Sequence, residues 1–92
     1  MNVTVKTFAG YRELLGKELE LSVPEGGTVR ELLQILGKIH PAFLPEILER
    51  DGQLRPYVNI LENGRNIRFL SDLETRLMEG DVISVFPPIA GG

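Results

Sequence analysis

The chain has 92 residues, of which 42% are hydrophobic and 25% are charged, and this balance is typical of one small globular domain with a single core. Its 13 acidic and 10 basic residues give a formal charge of -3 and are spread along the chain without a basic stripe, which argues against a nucleic-acid partner. The absence of cysteine excludes disulfides, thiolate metal ligands and thiol nucleophiles.

The amino-terminal third of the sequence predicts two strands. Residues 2–8 alternate with Val3 and Val5 on one face, and residues 18–23 alternate in the same way. Between them, residues 11–15 predict one short helical turn that ends at Gly16. Because the chain begins as a strand rather than a signal peptide, and no apolar run reaches the ~18 residues of a membrane span, we expect a cytoplasmic protein with no membrane partner.

The main helix is predicted to begin at Thr28, because Thr28 and Glu31 match a capping box. Apolar residues then recur at i, i+3, i+4 and i+7, which places one stripe against a sheet. That stripe consists of Val29, Leu32, Leu33 and Leu36. The helix ends before Pro41, and residues 45–50 predict one or two further helical turns.

The remaining sequence predicts two or three more strands. Residues 56–62 alternate as a third strand, Asn63-Gly64 is a strong turn signal, and residues 66–69 predict a brief fourth strand. A linker packed by Leu73, Leu77 and Met78 follows, and residues 82–87 predict the last strand.

This order of elements predicts an α+β fold of the ubiquitin-like β-grasp type. The first and last strands can pair in parallel at the sheet centre if the helix makes the crossover between them. We therefore expect a mixed sheet of four or five strands with one main helix on one face. The single domain spans residues 1–92, and residues 87–92 form a flexible tail that ends in Gly-Gly.

The last strand predicts a contact surface. Since side chains alternate along a strand, Ile83 and Val85 face the core while Ser84 and Phe86 lie on the opposite face. An exposed Phe86 is a candidate contact for a partner. The alternatives are that Phe86 packs against a neighbouring loop or that Val82 is the buried residue, and the sequence leaves these open.

The tail that follows is suited to being held by another protein. Pro87 and Pro88 fix φ and remove two amide donors, so the chain leaves the sheet in an extended form. Ile89 and Ala90 add modest apolar contact. Gly91 and Gly92 carry no side chain, so this tail can thread a narrow channel and place its carboxylate in an active site.

No side-chain arrangement in the sequence predicts catalysis or metal binding. His40 is interpreted as a cation at the end of the helix. The carboxylates of residues 72–74 and 79–81 are interpreted as loop residues rather than metal ligands. The group that remains is the α-carboxylate of Gly92, which an ATP-using partner could convert to an acyl-adenylate. Without cysteine, the chain can hold sulfur only as a terminal thiocarboxylate.

The sequence resembles the sulfur carriers that include the small subunit of molybdopterin synthase, the thiamin sulfur carrier and the CysO-type carrier of a cysteine pathway. The resemblance covers nearly the whole chain. It rests on FAGYRELLG at 8–16, TVRELL at 28–33, GDVI at 80–83 and PPIAGG at 87–92.

The resemblance implies partners rather than a bound cofactor. An E1-like adenylyltransferase would activate Gly92 with ATP and Mg²⁺, a sulfurtransferase would supply sulfur, and an acceptor enzyme would receive it. The leading acceptor is the large subunit of molybdopterin synthase, in which case this chain is a sulfur-donating subunit; whether it counts as an enzyme is left open. Arg12, Phe69 and Phe86 are the implied partner contacts in the folded domain.

The resemblance also leaves alternatives. Residues 57–69 are similar to the CysO-type carriers and their archaeal relatives, so sulfur donation for cysteine synthesis is an alternative pathway. Archaeal relatives also resemble ubiquitin in joining their terminal glycine to lysines, so Gly92 could modify proteins. A third hypothesis is an interaction module whose Gly-Gly is never activated.

Overall fold

The strands form one mixed sheet of five strands. The computed structural model describes residues 1–88. In chain order its main elements are β1 (Asn2–Thr7), α1 (Gly10–Leu15), β2 (Glu18–Ser22), α2 (Val29–Ile39), α3 (Leu44–Ile47), β3 (Asn59–Glu62), β4 (Arg65–Asn66) and β5 (Val82–Phe86). Short 3-10 helices at Ile67–Phe69 and Asp72–Glu74 join β4 to β5.

The first and last strands lie side by side at the centre of the sheet. The strand order is β2-β1-β5-β3-β4, and β1 runs parallel to β5 with Thr7 opposite Val85. β2 and β3 flank this pair in the antiparallel direction. The predicted β-grasp fold is therefore confirmed, and the parallel pairing brings the carboxyl ends of β1 and β5 to the same edge of the sheet.

The core lies between α2 and one face of the sheet. Thr28 caps α2, because its hydroxyl accepts a hydrogen bond of 3.3 Å from the amide of Glu31. The predicted helical stripe is fully buried against alternate residues of the strands. These buried residues are Val29, Leu32, Leu33 and Leu36 from α2, and Val3, Val5, Ile60, Ile83 and Val85 from the sheet.

The turn between β3 and β4 forms as predicted. Glu62 pairs with Arg65, so Asn63 and Gly64 alone make the loop. Both have positive φ, 48° for Asn63 and 86° for Gly64, which is the backbone that tight hairpin turns require. The side-chain amide of Asn63 also donates to Asp81 Oδ1 at 2.9 Å, which ties the hairpin to the start of β5.

All five predicted strands are shorter than the sequence pattern indicates, the first, second and last by one residue each. The third and fourth differ by more, and side-chain hydrogen bonds explain both. The third strand begins at Asn59 rather than residue 56, because the guanidinium of Arg68 donates to the carbonyls of Arg55 and Pro56 and holds that segment in a loop. The fourth strand stops at Asn66, whose side chain accepts from the Arg68 amide at 2.9 Å and starts a 3-10 turn.

The linker before β5 is packed by two of its three predicted residues. Leu73 and Leu77 are each 3% exposed, as predicted, but Met78 is 70% exposed and its predicted packing is wrong. The Met78 amide donates to Asp81 Oδ2 at 2.9 Å, so the backbone of Met78 is held in the turn while its side chain lies at the surface. No helix within residues 1–88 is long and apolar enough to cross a membrane.

Candidate functional site at the carboxyl end of the last strand

The parallel ends of β1 and β5 bring two phenylalanines together. The rings of Phe8 and Phe86 are stacked with their centroids 4.2 Å apart and an interplanar angle of 9°. Both side chains are half-buried and lie on the sheet face opposite α2. The two sequence alternatives for Phe86 therefore both hold in part, since it packs against the segment after β1 and still presents part of its ring to solvent.

Arg12 adds a third layer to this stack. Its guanidinium carbon lies 5.4 Å from the centroid of the Phe8 ring, and its Nε donates to the Thr7 carbonyl at 3.1 Å. The short helix α1 places Arg12 there, because the chain turns sharply at Ala9, whose φ of 52° is unusual for a residue with a side chain. Two of the predicted contact residues, Arg12 and Phe86, are thus brought to the same place through Phe8.

A shallow, mainly apolar groove of about 840 Å³ runs beside the stack. Leu61 of β3 and the asparagines Asn59 and Asn66 line it together with the stacked rings. The residues that line it are Phe8, Ala9, Gly10, Asn59, Leu61, Asn66, Phe86, Pro87 and Pro88. Exposed apolar concavities of this kind are typical of sites where other proteins bind.

The tail begins inside this groove. Pro87 is half-buried and Pro88 is exposed, and both line the groove next to Phe86. Strand pairing ends at Phe86, which is opposite Asn59, as expected where two successive residues lack an amide hydrogen. The predicted tail residues Ile89, Ala90, Gly91 and Gly92 lie outside the described residues.

Phe69 does not share this site. It is 87% exposed on the 3-10 helix after β4 and does not line the groove. The structure therefore separates Phe69 from Arg12 and Phe86. Its proposed role in partner contact remains a prediction about a second surface.

The polar side chains of the described region are arranged as structural groups. His40 lies at the carboxyl end of α2, where its backbone amide donates to the Leu36 carbonyl at 2.8 Å. Within residues 1–88 no three His, Asp or Glu side chains cluster closely enough to hold a metal ion.

One carboxylate pair is electrostatically unusual. Burial, and then the hydrogen bond and negative charge of Asp81, raise the pKa of Glu62 to about 7. Burial would also raise the pKa of Asp81, but hydrogen bonds from Glu62, Asn63 and the Met78 amide lower it overall. Glu62 is opposite Ile83 and the groove is at Phe86, so this pair is at the other end of β5.

Phe8 and Leu61 are the large apolar groove residues that the sequence analysis did not select as contacts. Phe8 comes directly after the alternating strand, on the face opposite Val3 and Val5, and that alternation was the available signal. Leu61 is out of phase with the buried Ile60, so an apolar residue on the solvent face was also visible. Neither signal shows that the two strands end beside each other.

Comparisons with known proteins agree with this architecture. The model of the ThiS family matches residues 5–92. Small archaeal modifier protein 3 of Haloferax volcanii is 38% identical over 93 residues, which cover 100% of both chains.

Solved structures of similar proteins have the same fold. A putative molybdopterin converting factor, subunit 1, from Pyrococcus furiosus matches with a TM-score of 0.77 and 37% identity over 97% of this chain and 99% of that chain. A chain in the crystal structure of the Amycolatopsis orientalis BexX/CysO complex matches with a TM-score of 0.81 and 26% identity over 98% and 99%.

Proposed function

The chain belongs to the ThiS family, and on that premise we propose that it is a ubiquitin-like sulfur carrier that works through the carboxylate of Gly92. One observation carries the proposal beyond the family. The central strand β5 leads directly into Pro87-Pro88 beside an open apolar groove, and the chain ends four residues later in two glycines. A partner that covers the groove is therefore positioned to receive the tail.

The chemistry proposed for Gly92 uses no side chain of this protein. An E1-like adenylyltransferase would hold ATP and Mg²⁺, and a carboxylate oxygen of Gly92 would attack the α-phosphorus as pyrophosphate leaves. Sulfide, or sulfur supplied as sulfide by a sulfurtransferase system, would then attack the acyl carbon and displace AMP. The product is a thiocarboxylate, and it needs no thiol in a chain that has no cysteine.

The groove is proposed as the docking surface for these partners. Phe8, Leu61 and Phe86 supply apolar contact area on a rigid sheet, and Asn59 and Asn66 supply hydrogen-bonding groups at its rim. A fixed surface on the sheet beside a short tail lets one carrier meet an activating enzyme and an acceptor in turn.

For the acceptor we propose the large subunit of molybdopterin synthase, with this chain as the sulfur-donating small subunit. The similarity to the Pyrococcus furiosus protein supports this choice. Donation to a cysteine-forming enzyme is the alternative within the carrier function, and the similarity to the chain in the BexX/CysO complex supports it.

The second candidate function is protein modification. The full-length similarity to Small archaeal modifier protein 3 favours it. In that reaction a lysine amine would attack the adenylated carbonyl of Gly92, displace AMP and form an isopeptide bond. The two functions share the adenylation step and differ in the nucleophile that follows.

The shared step can be tested by ATP–pyrophosphate exchange with the E1-like enzyme encoded in the same genome. We expect exchange to depend on the intact chain and to be lost when Gly92 is deleted. Exchange that is unaffected by the deletion, or no exchange with the intact chain, would contradict the proposal and leave the interaction-module hypothesis.

A further inference from the structure

A small basic depression adjoins the aromatic stack and shares Phe8 with the groove. It has a volume of about 160 Å³ and is lined by Lys6, Thr7, Phe8, Arg12, Lys17 and Glu18. Lys6, Arg12 and Lys17 are all exposed. Within residues 1–88 there are two ion pairs, one between the amino terminus and Glu25 and one between Arg30 and Glu74. Neither involves Lys6, Arg12 or Lys17.

Arg12 is the most firmly held of the three. Its Nε donates to the Thr7 carbonyl and its guanidinium lies over the Phe8 ring. Within residues 1–88, the Arg12 side chain makes hydrogen bonds only through Nε. Both of its terminal amino groups are therefore left to bind an anion. Because the planar guanidinium is already oriented, little conformational entropy is lost when a carboxylate pairs with it.

The local charge is opposite to that of the whole protein. The depression holds three cations and one carboxylate, a balance of +2, in a chain with a formal charge of -3. Complementary charge at a protein surface selects partners and accelerates their association. A positive depression beside an apolar groove therefore fits a partner whose apolar patch is flanked by acidic residues.

The length of the tail indicates whether the anion that faces Arg12 belongs to a protein or to a nucleotide. Gly92 is six residues after Phe86, and six extended residues span at most roughly 20 Å. When the tail is extended into an active site, the nucleotide is at the Gly92 end and the depression is at the base of the tail. The group that faces Arg12 is then protein surface at the mouth of the channel.

We infer that Lys6, Arg12 and Lys17 form a docking site for an acidic patch on the activating enzyme, next to the channel that receives the tail. The inference rests on the proposed function, because it requires such an enzyme. It adds which chemical class of surface that enzyme presents and which side chains of the carrier recognise it.

The test is steady-state adenylation of the carrier at low and at moderate salt. We expect Arg12→Glu to raise the KM for the carrier about tenfold or more, with the KM for ATP unchanged, because it sets like charges against each other. Arg12→Lys should give an intermediate KM, since it keeps the charge without the planar donors. The salt dependence of the KM should be weaker in Arg12→Glu than in the natural chain.

Two further variants keep the test decisive. Arg50→Glu is the matched control, because Arg50 is exposed and lies outside the depression, and it should leave the KM unchanged. If Arg12→Glu fails to fold, the double variant Lys6→Glu/Lys17→Glu takes its place and should raise the carrier KM.

The outcomes separate this inference from the proposed function. Normal adenylation of the natural chain and an unchanged carrier KM in the charge-reversal variants would overturn the docking site alone. A raised KM for ATP with an unchanged carrier KM would assign the cations to a nucleotide phosphate and would also overturn it. A natural chain that is never adenylated would overturn the proposed function and this inference with it.

Discussion

The ring of Phe86 lies 4.2 Å from the ring of Phe8, so the last residue of β5 and the residue that follows β1 form one stacked pair at the base of the tail. The pair exists because β1 and β5 run parallel and end at the same edge. This pair connects the core of the fold to the tail.

Replacing Phe86 with alanine should impair partner binding more than folding. The half-buried ring and its stacking contribute about 1–2 kcal/mol of stability, and the groove loses one wall. We expect a lower melting temperature and a carrier KM for adenylation raised about tenfold. Ile39→Ala is the matched control, because Ile39 is 52% exposed on α2, on the other side of the sheet, and lies outside the groove. Equal effects of the two substitutions on the KM would contradict the assignment of the groove.

Stability should fall as the pH rises from about 4.5 to about 7. Glu62 has its pKa raised from 4.5 to about 7 in the folded protein, so the folded state keeps a proton that the unfolded chain has released. The stability linked to that proton is complete below pH 4.5 and is lost as the pH passes 7. Since Glu62 is partly exposed, we expect a loss of about 1–2 kcal/mol after screening by solvent.

Glu62→Gln should remove that pH dependence. The glutamine amide can donate to Asp81 as the protonated carboxyl does, without the charge. The melting temperature of the variant at pH 8 should therefore equal or exceed that of the natural chain, and the two should converge near pH 5. Glu20→Gln, an exposed change on β2, serves as the control and should keep the natural slope. A natural chain whose unfolding free energy is constant between pH 5 and 8 would contradict a proton held by Glu62 in the folded state.

Below about pH 4.5 the protein should lose stability as the pH falls, and Asp81 should contribute to that loss. The pKa of Asp81 is lowered below 3.8 by its hydrogen bonds, although burial alone would raise it. Its contribution is present above the unfolded pKa and is lost as the pH falls through the folded pKa. Asp81→Asn should therefore narrow the difference in unfolding free energy between pH 5 and pH 2, measured by denaturant titration.

Arg68→Ala should destabilise the loop before β3. The Arg68 guanidinium donates to the carbonyls of Val58, Arg55 and Pro56 at 2.7, 2.8 and 3.1 Å. Removing these charge-assisted bonds should lower the unfolding free energy by about 2 kcal/mol. Arg76→Ala, at an exposed position, should change it by less than about 0.5 kcal/mol. Hydrogen exchange of the Val58 and Asn59 amides that is equally slow in Arg68→Ala and the natural chain would argue against this role.

Periodicity was sufficient to predict the fold but not the ends of every strand. The stripe from Val29 to Leu36 and the alternation of Val3 and Val5 reflect burial, which is strong and repeats at every turn or pair of residues. The ends of β3 and β4 depend on one guanidinium and one amide side chain that compete with strand pairing. Such local hydrogen bonds have no period, so the sequence predicted strands that extend too far.

The candidate site was predicted in part for a related reason. Phe86 and the tail are contiguous in sequence, so their relationship could be read directly. The contact of Phe86 with Phe8 and Arg12 depends on the parallel register of two strands far apart in the chain. The pairing of strands so far apart in the sequence depends on the whole sheet, so no local sequence pattern predicts it.

The most direct test of the central claim is the intact mass of the protein after incubation with ATP, Mg²⁺, the E1-like enzyme and sulfide. We expect a gain in mass equal to the exchange of one oxygen for sulfur, and no gain in a variant that lacks Gly92. That variant should melt at the same temperature as the natural chain, because a single terminal glycine has no side chain to contribute to the core. An unchanged mass for the intact chain, or the same gain without Gly92, would contradict a thiocarboxylate carried on the terminal glycine.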